Sequence, residues 1–300
     1  MYDIRFYKTI DSTNTEALRL LNEVGELNSL DKKKELGGKT VFYARTQTAG
    51  RGQRGNKWHS VPGENLTFSL ALRFGLDNVP SLKATDQYIL NQIMALAVTD
   101  YLRTIGLEAM IKWPNDIYIG DKKICGILIE NSLSGSLLKH SIIGIGLNLN
   151  QSIFDPSIPN PTSVFLETGL KTEAEKVLKK ILDNIDARIA SILKKEEVKE
   201  GYLSRLYRKG KVFSYIDELK GETIKGSIIG ITDDFRLSIE IDDDFSENSE
   251  QKTMAESDGM VSDGMVSDRK VSDGMVSDRK VSDGKAIRHF AFKEIGYIII

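Results

Sequence analysis

Gly50-Arg51-Gly52-Gln53-Arg54-Gly55-Asn56-Lys57-Trp58 packs three glycines, two arginines, a lysine and a closing tryptophan into nine residues. How this stretch is read decides the fold. Its glycines let the backbone approach a ligand and turn N–H groups inward. Its arginines offer planar, permanently charged forks for carboxylate or phosphate, and Trp58 offers an apolar face for a flat ring. Gly50-x-Gly52-x-x-Gly55 also fits the dinucleotide fingerprint, which needs a helix opening at its last glycine. The residues that follow, Asn56 to Gly63, read as loop, and this sets a Rossmann fold aside. Gly38-Lys39-Thr40 imitates the end of a P-loop, but Lys33 stands where the first glycine of that motif belongs.

A second constellation is Ile111-Lys112-Trp113-Pro114-Asn115-Asp116-Ile117. Pro114 cannot donate to a ladder, so it ends or bulges the strand carrying Lys112. Asn115 and Asp116 suit a turn. Alone, Lys112 reads as a solvated lysine beside that turn; beside a cationic glycine loop it becomes a candidate for the same anion.

Periodicity supplies the frame around these motifs. Residues 4–10 read as a strand, and Thr13-Asn14-Thr15-Glu16 has capping-box spacing before a helical face of Ala17, Leu18, Leu21 and Val24. Residues 40–44, 66–72, 117–119, 124–130 and 141–150 read as strands, with Gly144 and Gly146 allowing close approach inside the last. Residues 87–105 carry a helical apolar pattern, and Thr172-x-x-Glu175 spacing opens another helix with Val177, Leu178, Ile181, Leu182, Ile185 and Ile189 inward. Beyond Lys211 the pattern changes to short strands at 211–216, 223–231, 237–241 and 289–300, which suggests a small barrel. From Ser257 to Lys285 a five-residue unit recurs: Ser-Asp-Gly-Met-Val twice, Ser-Asp-Arg-Lys-Val, then one more of each. Five residues match neither helix nor strand faces, so the segment reads as a disordered tandem expansion in a hairpin loop.

Composition narrows the function. A formal charge of −2 and a hydrophobic fraction of 40% describe a globular chain and argue against a dedicated nucleic-acid binder. No apolar run reaches the roughly 18 residues needed to span a bilayer, and the N-terminus lacks a signal-peptide apolar region. The single cysteine, Cys125, gives neither an internal disulfide nor a zinc spacing with three scattered histidines. The Asn65-Leu66-Thr67 sequon reads as a chance match in a strand. Together these features predict a cytoplasmic protein.

Five ordered motifs resemble the biotin–protein ligase family. They are Ser12-Thr13-Asn14, Thr46 to Gly52, Lys112 to Asp116, Lys123 to Glu130, and Gly144 to Asn150. The resemblance implies an α+β fold: a mixed sheet with helices like class II aminoacyl-tRNA synthetases and biotin synthetases over residues 1–208. A small SH3-like barrel over 209–300, interrupted by an insert at about 246–285, would follow. It implies formation of biotinyl-5′-adenylate from biotin and ATP, with Mg2+ carried by the nucleotide. Transfer to a lysine of a biotin carboxyl carrier domain would complete the reaction. Lys112 and Arg51 would be catalytic. Biotin would meet Ser12, Thr13, Asn14, Gln47, Gly50, Arg51, Gly52, Gln53, Lys112, Gly126, Ile127, Gly144 and Gly146. The adenylate would meet Arg51, Gln53, Arg54, Trp58, Lys112, Asn115 and Asn148. Gln53 departs from the pattern, since many members carry arginine there. With the biotin segment at residue 12, a DNA-binding domain is not expected, nor is a membrane partner, and the expected state is a monomer or weak homodimer. The rival readings are a lipoate–protein ligase and a nucleotide-binding regulator without transfer activity.

Overall fold

The computed structural model describes residues 2–26, 37–242, 280–282 and 285–299; the side chains at 24–26, 54 and 280–282 fall outside the description. The chain divides into two compact units, Met1–Tyr207 and Arg208–Ile300.

The first unit runs β1 (Asp3–Tyr7), α1 (Thr13–Glu26), β2 (Lys39–Ala44), β3 (Leu66–Arg73), α2 (Ile89–Thr104), β4 (Ala109–Lys112), β5 (Asp116–Ile119), β6 (Lys122–Ser134), β7 (Leu137–Leu147), α3 (Val164–Thr168), α4 (Ala174–Ala190) and α5 (Lys195–Leu203). Its seven strands form one sheet in the order β1-β2-β3-β7-β6-β5-β4. β1 and β2 pair in parallel and every other neighbouring pair is antiparallel, so the sheet is mixed. Strands β2 and β3 are buried on both faces because both are covered. On one face Ala17 and Leu21 of α1 pack against Phe42, Ala71 and Ile142. On the other, α2 packs on β4, β5 and β6, α4 packs on β3, and the two helices pack on each other. Full burial of a Leu, Ile or Phe side chain such as Leu21, Phe42 or Ile142 contributes about 1.5–3 kcal/mol. Helix α4 buries the stripe its spacing predicts.

Local details differ from the sequence reading. No capping box forms at α1: Thr13 is its first residue, Glu16 N–H donates to Ser12 O at 3.0 Å, and the Glu16 carboxylate turns to Arg19 at 2.7 Å. The hydroxyls of Ser12 and Thr13 and the amide of Asn14 are therefore buried against the sheet. Thr172 does not cap α4 either. Its N–H and C=O are both held by the Asn150 amide, at 2.8 and 2.9 Å, and Glu173 takes the cap position. The first strand stops at Tyr7, and beyond it Ile10 makes only an isolated bridge to Gln47. β4 and β5 pair Lys112 with Asp116 across a tight turn that contains a cis Trp113–Pro114 bond.

The second unit is an antiparallel sheet of β8 (Val212–Asp217), β9 (Glu222–Ile231), β10 (Leu237–Ile241), β11 (Lys280–Ser282), β12 (Lys285–Phe290) and β13 (Ile295–Tyr297), in the order β11-β12-β10-β9-β8-β13. An antiparallel sheet of this kind is compatible with the expected barrel. Tyr215, Ile228, Leu237, Ile239 and Phe290 form its core. Buried Asp217 pairs with Arg288, which also reaches Glu222 at 3.1 Å. The predicted strand over 289–300 instead begins at Lys285 and breaks between Phe290 and Ile295, where Lys293 takes a positive φ of 91°. Of the insert expected at 246–285, residues 246–279, 283 and 284 lie outside the described residues. Its end is not loop: Lys280–Ser282 pair with Lys285–Ile287 as a hairpin. No described helix is long and apolar enough to cross a membrane.

Candidate active site

Register places the chemistry-bearing residues on one face. Thr67, Gly146, Gly126, Asp116 and Lys112 are successive cross-strand partners on β3, β7, β6, β5 and β4. Directly opposed residues point to the same side of a sheet, so this row faces one way. Two residues along, Ser69, Gly144 and Leu128 form a parallel row.

The two glycines of β7 make a floor that only glycine can supply. A Cβ at 146 would stand 2.4 Å from Cε2 of Trp58, and one at 144 would stand 2.3 Å from Oδ1 of Asn14. Both distances are far inside van der Waals contact. Trp58 also reaches over Gly126. The loop that delivers it folds back on itself: Gly52 N–H donates to Asn56 O at 2.7 Å and Trp58 N–H to Gly50 O at 2.9 Å. Only a three-residue 3-10 turn, Gln53–Gly55, forms at its tip, not the helix a dinucleotide fingerprint requires. The indole Nε1 of Trp58 is buried and has no hydrogen-bond partner among the described residues. A buried donor left unmade costs about 1–3 kcal/mol, and a ligand acceptor would satisfy it.

At the start of α1 lies a neutral polar cluster. Gln47 Oε1 accepts from Thr13 N–H at 2.8 Å and lies 3.0 Å from Thr13 Oγ1. Ser69 Oγ lies 2.7 Å from Thr13 Oγ1 and donates to Asn14 Oδ1 at 2.6 Å. Arg51 pairs bidentately with Glu130, at 3.1 and 2.7 Å, and Asn14 Nδ2 donates to the same carboxylate at 2.8 Å.

Lys123 was not singled out by sequence reasoning. Its Nζ lies 5.9 Å from the Trp58 ring centre, 2.8 Å from Asp116, and 3.4 Å from where a Cβ on Gly126 would stand. Lys112 stands on the same face two strands away, its Nζ 3.4 Å from the Tyr118 hydroxyl and 5.2 Å from that ring. The available signal was Gly126 itself. Lys123 faces the site because a bulge between Ile117 and Tyr118 pairs it with Tyr118, and a bulge is not written in a period-2 pattern.

The remaining candidates fall in place or stand apart. Gln53 Nε2 donates to Asn115 Oδ1 at 2.9 Å, and buried Asn115 donates to Ile127 O at 2.7 Å. The Ile127 carbonyl is thus taken up by Asn115, and its side chain alternates to the opposite face from Gly126 and Leu128. Asn148 is buried and donates to Thr162 O at 2.8 Å, which ties the end of β7 to the loop before α3. The Arg54 side chain lies outside the description. Burial pushes the Cys125 thiol up, which keeps it protonated and poorly nucleophilic. Among the described residues, no three or more His, Cys, Asp or Glu side chains gather as a metal site. A cavity of about 670 Å3 between β1 and α4, lined by Ile4, Phe6, Tyr43, Leu178 and Leu182, opens on the opposite face of the sheet.

The face therefore has a hydrogen-bonding end where the Arg51–Glu130 pair adjoins the neutral cluster, a glycine floor under an aromatic wall, and a cationic end at Lys123 and Lys112. It fits an elongated ligand with a polar uncharged head and an anionic tail bearing a flat ring. Comparison with known proteins agrees. Residues 6–148 match the biotin/lipoate A/B protein ligase family. The chain is 30% identical over 258 residues to the bifunctional ligase/repressor BirA of Escherichia coli, which covers 85% of this chain and 70% of that protein. It is 35% identical over 175 residues to the biotin–[acetyl-CoA-carboxylase] ligase of Paracoccus denitrificans, covering 56% of this chain and 65% of that one. Among solved structures, the biotin protein ligase of Aquifex aeolicus in complex with biotin and ATP superposes with a TM-score of 0.59 at 27% identity, covering 79% of this chain and 91% of that chain. The chain belongs to the biotin protein ligase family.

Proposed function

We propose that this chain joins biotin to ATP as biotinyl-5′-adenylate and transfers the biotinyl group to a lysine of a biotin carboxyl carrier domain. The observation that carries the reading is the polar cluster of Thr13, Asn14, Gln47 and Ser69 at the Gly144 end of the floor, with Trp58 and the cation Lys123 at its Gly146 and Gly126 end. A ureido ring needs neutral donors and acceptors, and a carboxylate meeting a triphosphate needs positive charge.

In the first step a biotin carboxylate oxygen attacks the α-phosphorus. An oxygen–phosphorus bond forms, the bond to pyrophosphate breaks, and two anions are pressed together. Arg51, Lys123 and Lys112 supply the fixed positive charge that offsets this where it develops. Magnesium enters with the triphosphate. Trp58 walls the site and offers its Nε1–H to the ligand. In the second step the acceptor amine attacks the acyl carbon and AMP leaves. Gln53, Asn115 and Asn148 support the nucleotide end by fixing the backbone around it. The second unit serves as the family's SH3-like domain, and the enzyme works in the cytoplasm, where ATP and an unpaired thiol both persist.

Incubation with ATP, a biotin carboxyl carrier domain and either biotin or lipoate tests the assignment by mass spectrometry. A gain of one biotinyl group on a single carrier lysine is expected. Lipoylation in preference to biotinylation would move the chain to the lipoate side of the family.

A further inference from the structure

One carboxylate in the site has no part in the chemistry above. Glu130 lies on β6, two and four residues beyond Leu128 and Gly126, so it shares their face. It accepts three hydrogen bonds, from Arg51 Nη1 at 3.1 Å, Arg51 Nη2 at 2.7 Å and Asn14 Nδ2 at 2.8 Å. These donors come from two elements: Arg51 from the glycine loop, Asn14 from the polar cluster at the start of α1.

We propose that Glu130 is a positioning residue that locks Arg51 and Asn14 into their binding orientations and couples closure of the glycine loop to the polar cluster. The inference rests on the biotin and adenylate reading of this face. An ionised carboxylate only accepts, so it dictates which end of the Asn14 amide it meets. With Nδ2 on Glu130, Oδ1 is turned to Ser69, whose hydroxyl proton is then committed to it at 2.6 Å. Ser69 Oγ also lies 2.7 Å from Thr13 Oγ1, whose own hydroxyl donates to Gln47 Oε1 at 3.0 Å. A single charge thereby sets the direction of hydrogen bonding through Asn14 and Ser69.

The same carboxylate grips Arg51 through both terminal nitrogens. That end-on fork leaves the Nε edge of the guanidinium outside the pair, where it can serve a phosphate or carboxylate of the ligand. Arg51 sits at the neck of a loop rich in glycine, and a guanidinium without an anchor there would lose rotamer freedom on binding. Glu130 removes that freedom beforehand. Glu130 does not touch the reacting atoms in this arrangement; it acts through Arg51 and Asn14.

A double-mutant cycle tests this. Wild type, Glu130→Gln, Arg51→Ala and the double variant are compared for pyrophosphate release and for dissociation of biotinyl-adenylate. Glu130→Gln keeps the shape, removes the charge and can present a donor to Arg51. We expect KM for biotin and the adenylate off-rate to rise about 10-fold while kcat for pyrophosphate release stays within about twofold. Glu130→Asp restores part of the loss. In the Arg51→Ala background, Glu130→Gln should change the off-rate by less than about twofold, because its effect on the bound anion passes through Arg51. Unchanged KM and off-rate in Glu130→Gln, or full additivity with Arg51→Ala, would overturn the proposal. If Glu130→Gln does not fold, Glu130→Asp carries the same cycle. Failure of the wild-type protein to make biotinyl-adenylate would instead refute the underlying functional reading.

Discussion

The indole of Trp58 rests on Gly146 with no room for a side chain between them: a Cβ there would meet Cε2 at 2.4 Å and Nε1 at 2.7 Å. Gly146→Ala must displace the indole, because the backbone at 146 is held by strands on both sides. We expect kcat/KM for pyrophosphate release to fall about 10-fold or more, with the fold retained. The checks are steady-state kinetics and fluorescence of Trp58 against a Trp58→Phe control. Normal kinetics would remove Trp58 from the wall of the site.

Lys123→Ala and Lys112→Ala separate the two lysines on this face. Loss of charge that stabilises a transition state typically costs about 10²-fold or more in rate. Both variants should lose pyrophosphate release on that scale, with Lys123→Ala the more severe because Lys123 stands beside Trp58 and Gly126. Full activity in Lys123→Ala would return the leading role to Lys112.

His140 gives the catalytic unit an acid sensitivity. Burial holds its imidazole below the usual histidine range, helped by the neighbouring charges of Lys139 and Arg73. A group whose folded pKa is depressed binds its proton more readily when unfolded, so its contribution is complete above the unfolded value near 6.5 and is lost as pH falls through the folded one. The Tm should drop between pH 7.5 and 5.5. His140→Leu should show a smaller drop over that window, and an equal drop would exclude His140 as a source.

Arg288→Ala should destabilise the second unit sharply. Asp217 is 1% exposed and would be left as a buried carboxylate without its guanidinium. Breaking one partner of a buried pair costs about 3–5 kcal/mol. Urea denaturation followed by Tyr fluorescence should show it, and a loss under about 1 kcal/mol would mean that the Asp217 bonds to Leu219 and Lys220 N–H suffice alone.

The large features of the catalytic unit were legible because they depend on periodicity and on residues with few alternatives. The stripe of α4 from Val177 to Ile189 and the hairpin around Gly120 follow from spacing alone. Gly144 and Gly146 were legible as points of close approach, but what approaches them was not. Trp58 was expected beside an adenine, and the structure sets it on the glycines assigned to biotin, since a loop's return path is fixed by long-range contacts. Glu130 and Lys123 passed unnoticed for a related reason: each is an ordinary charged residue until another strand or loop brings Arg51 or Trp58 against it. At α1 and α4 the capping-box spacing was present and unused, because Glu16 found Arg19 and Thr172 found Asn150. A local preference of about 1 kcal/mol yields to such partners.

The short strand β11 has a property that follows from its spelling. Lys280-Val281-Ser282-Asp283-Gly284 is repeated letter for letter ten residues earlier, as Lys270-Val271-Ser272-Asp273-Gly274. Removing 271–280 would therefore bring an identical segment to the same place beside Lys285–Ile287, so the hairpin cannot distinguish the shortened chain from its parent. Because loop closure changes only slowly with length, unfolding free energy should shift by less than about 1 kcal/mol, measurable by denaturation of the deletion variant. A ten-residue change of copy number in this tract therefore leaves unaltered the sequence that pairs with Lys285–Ile287.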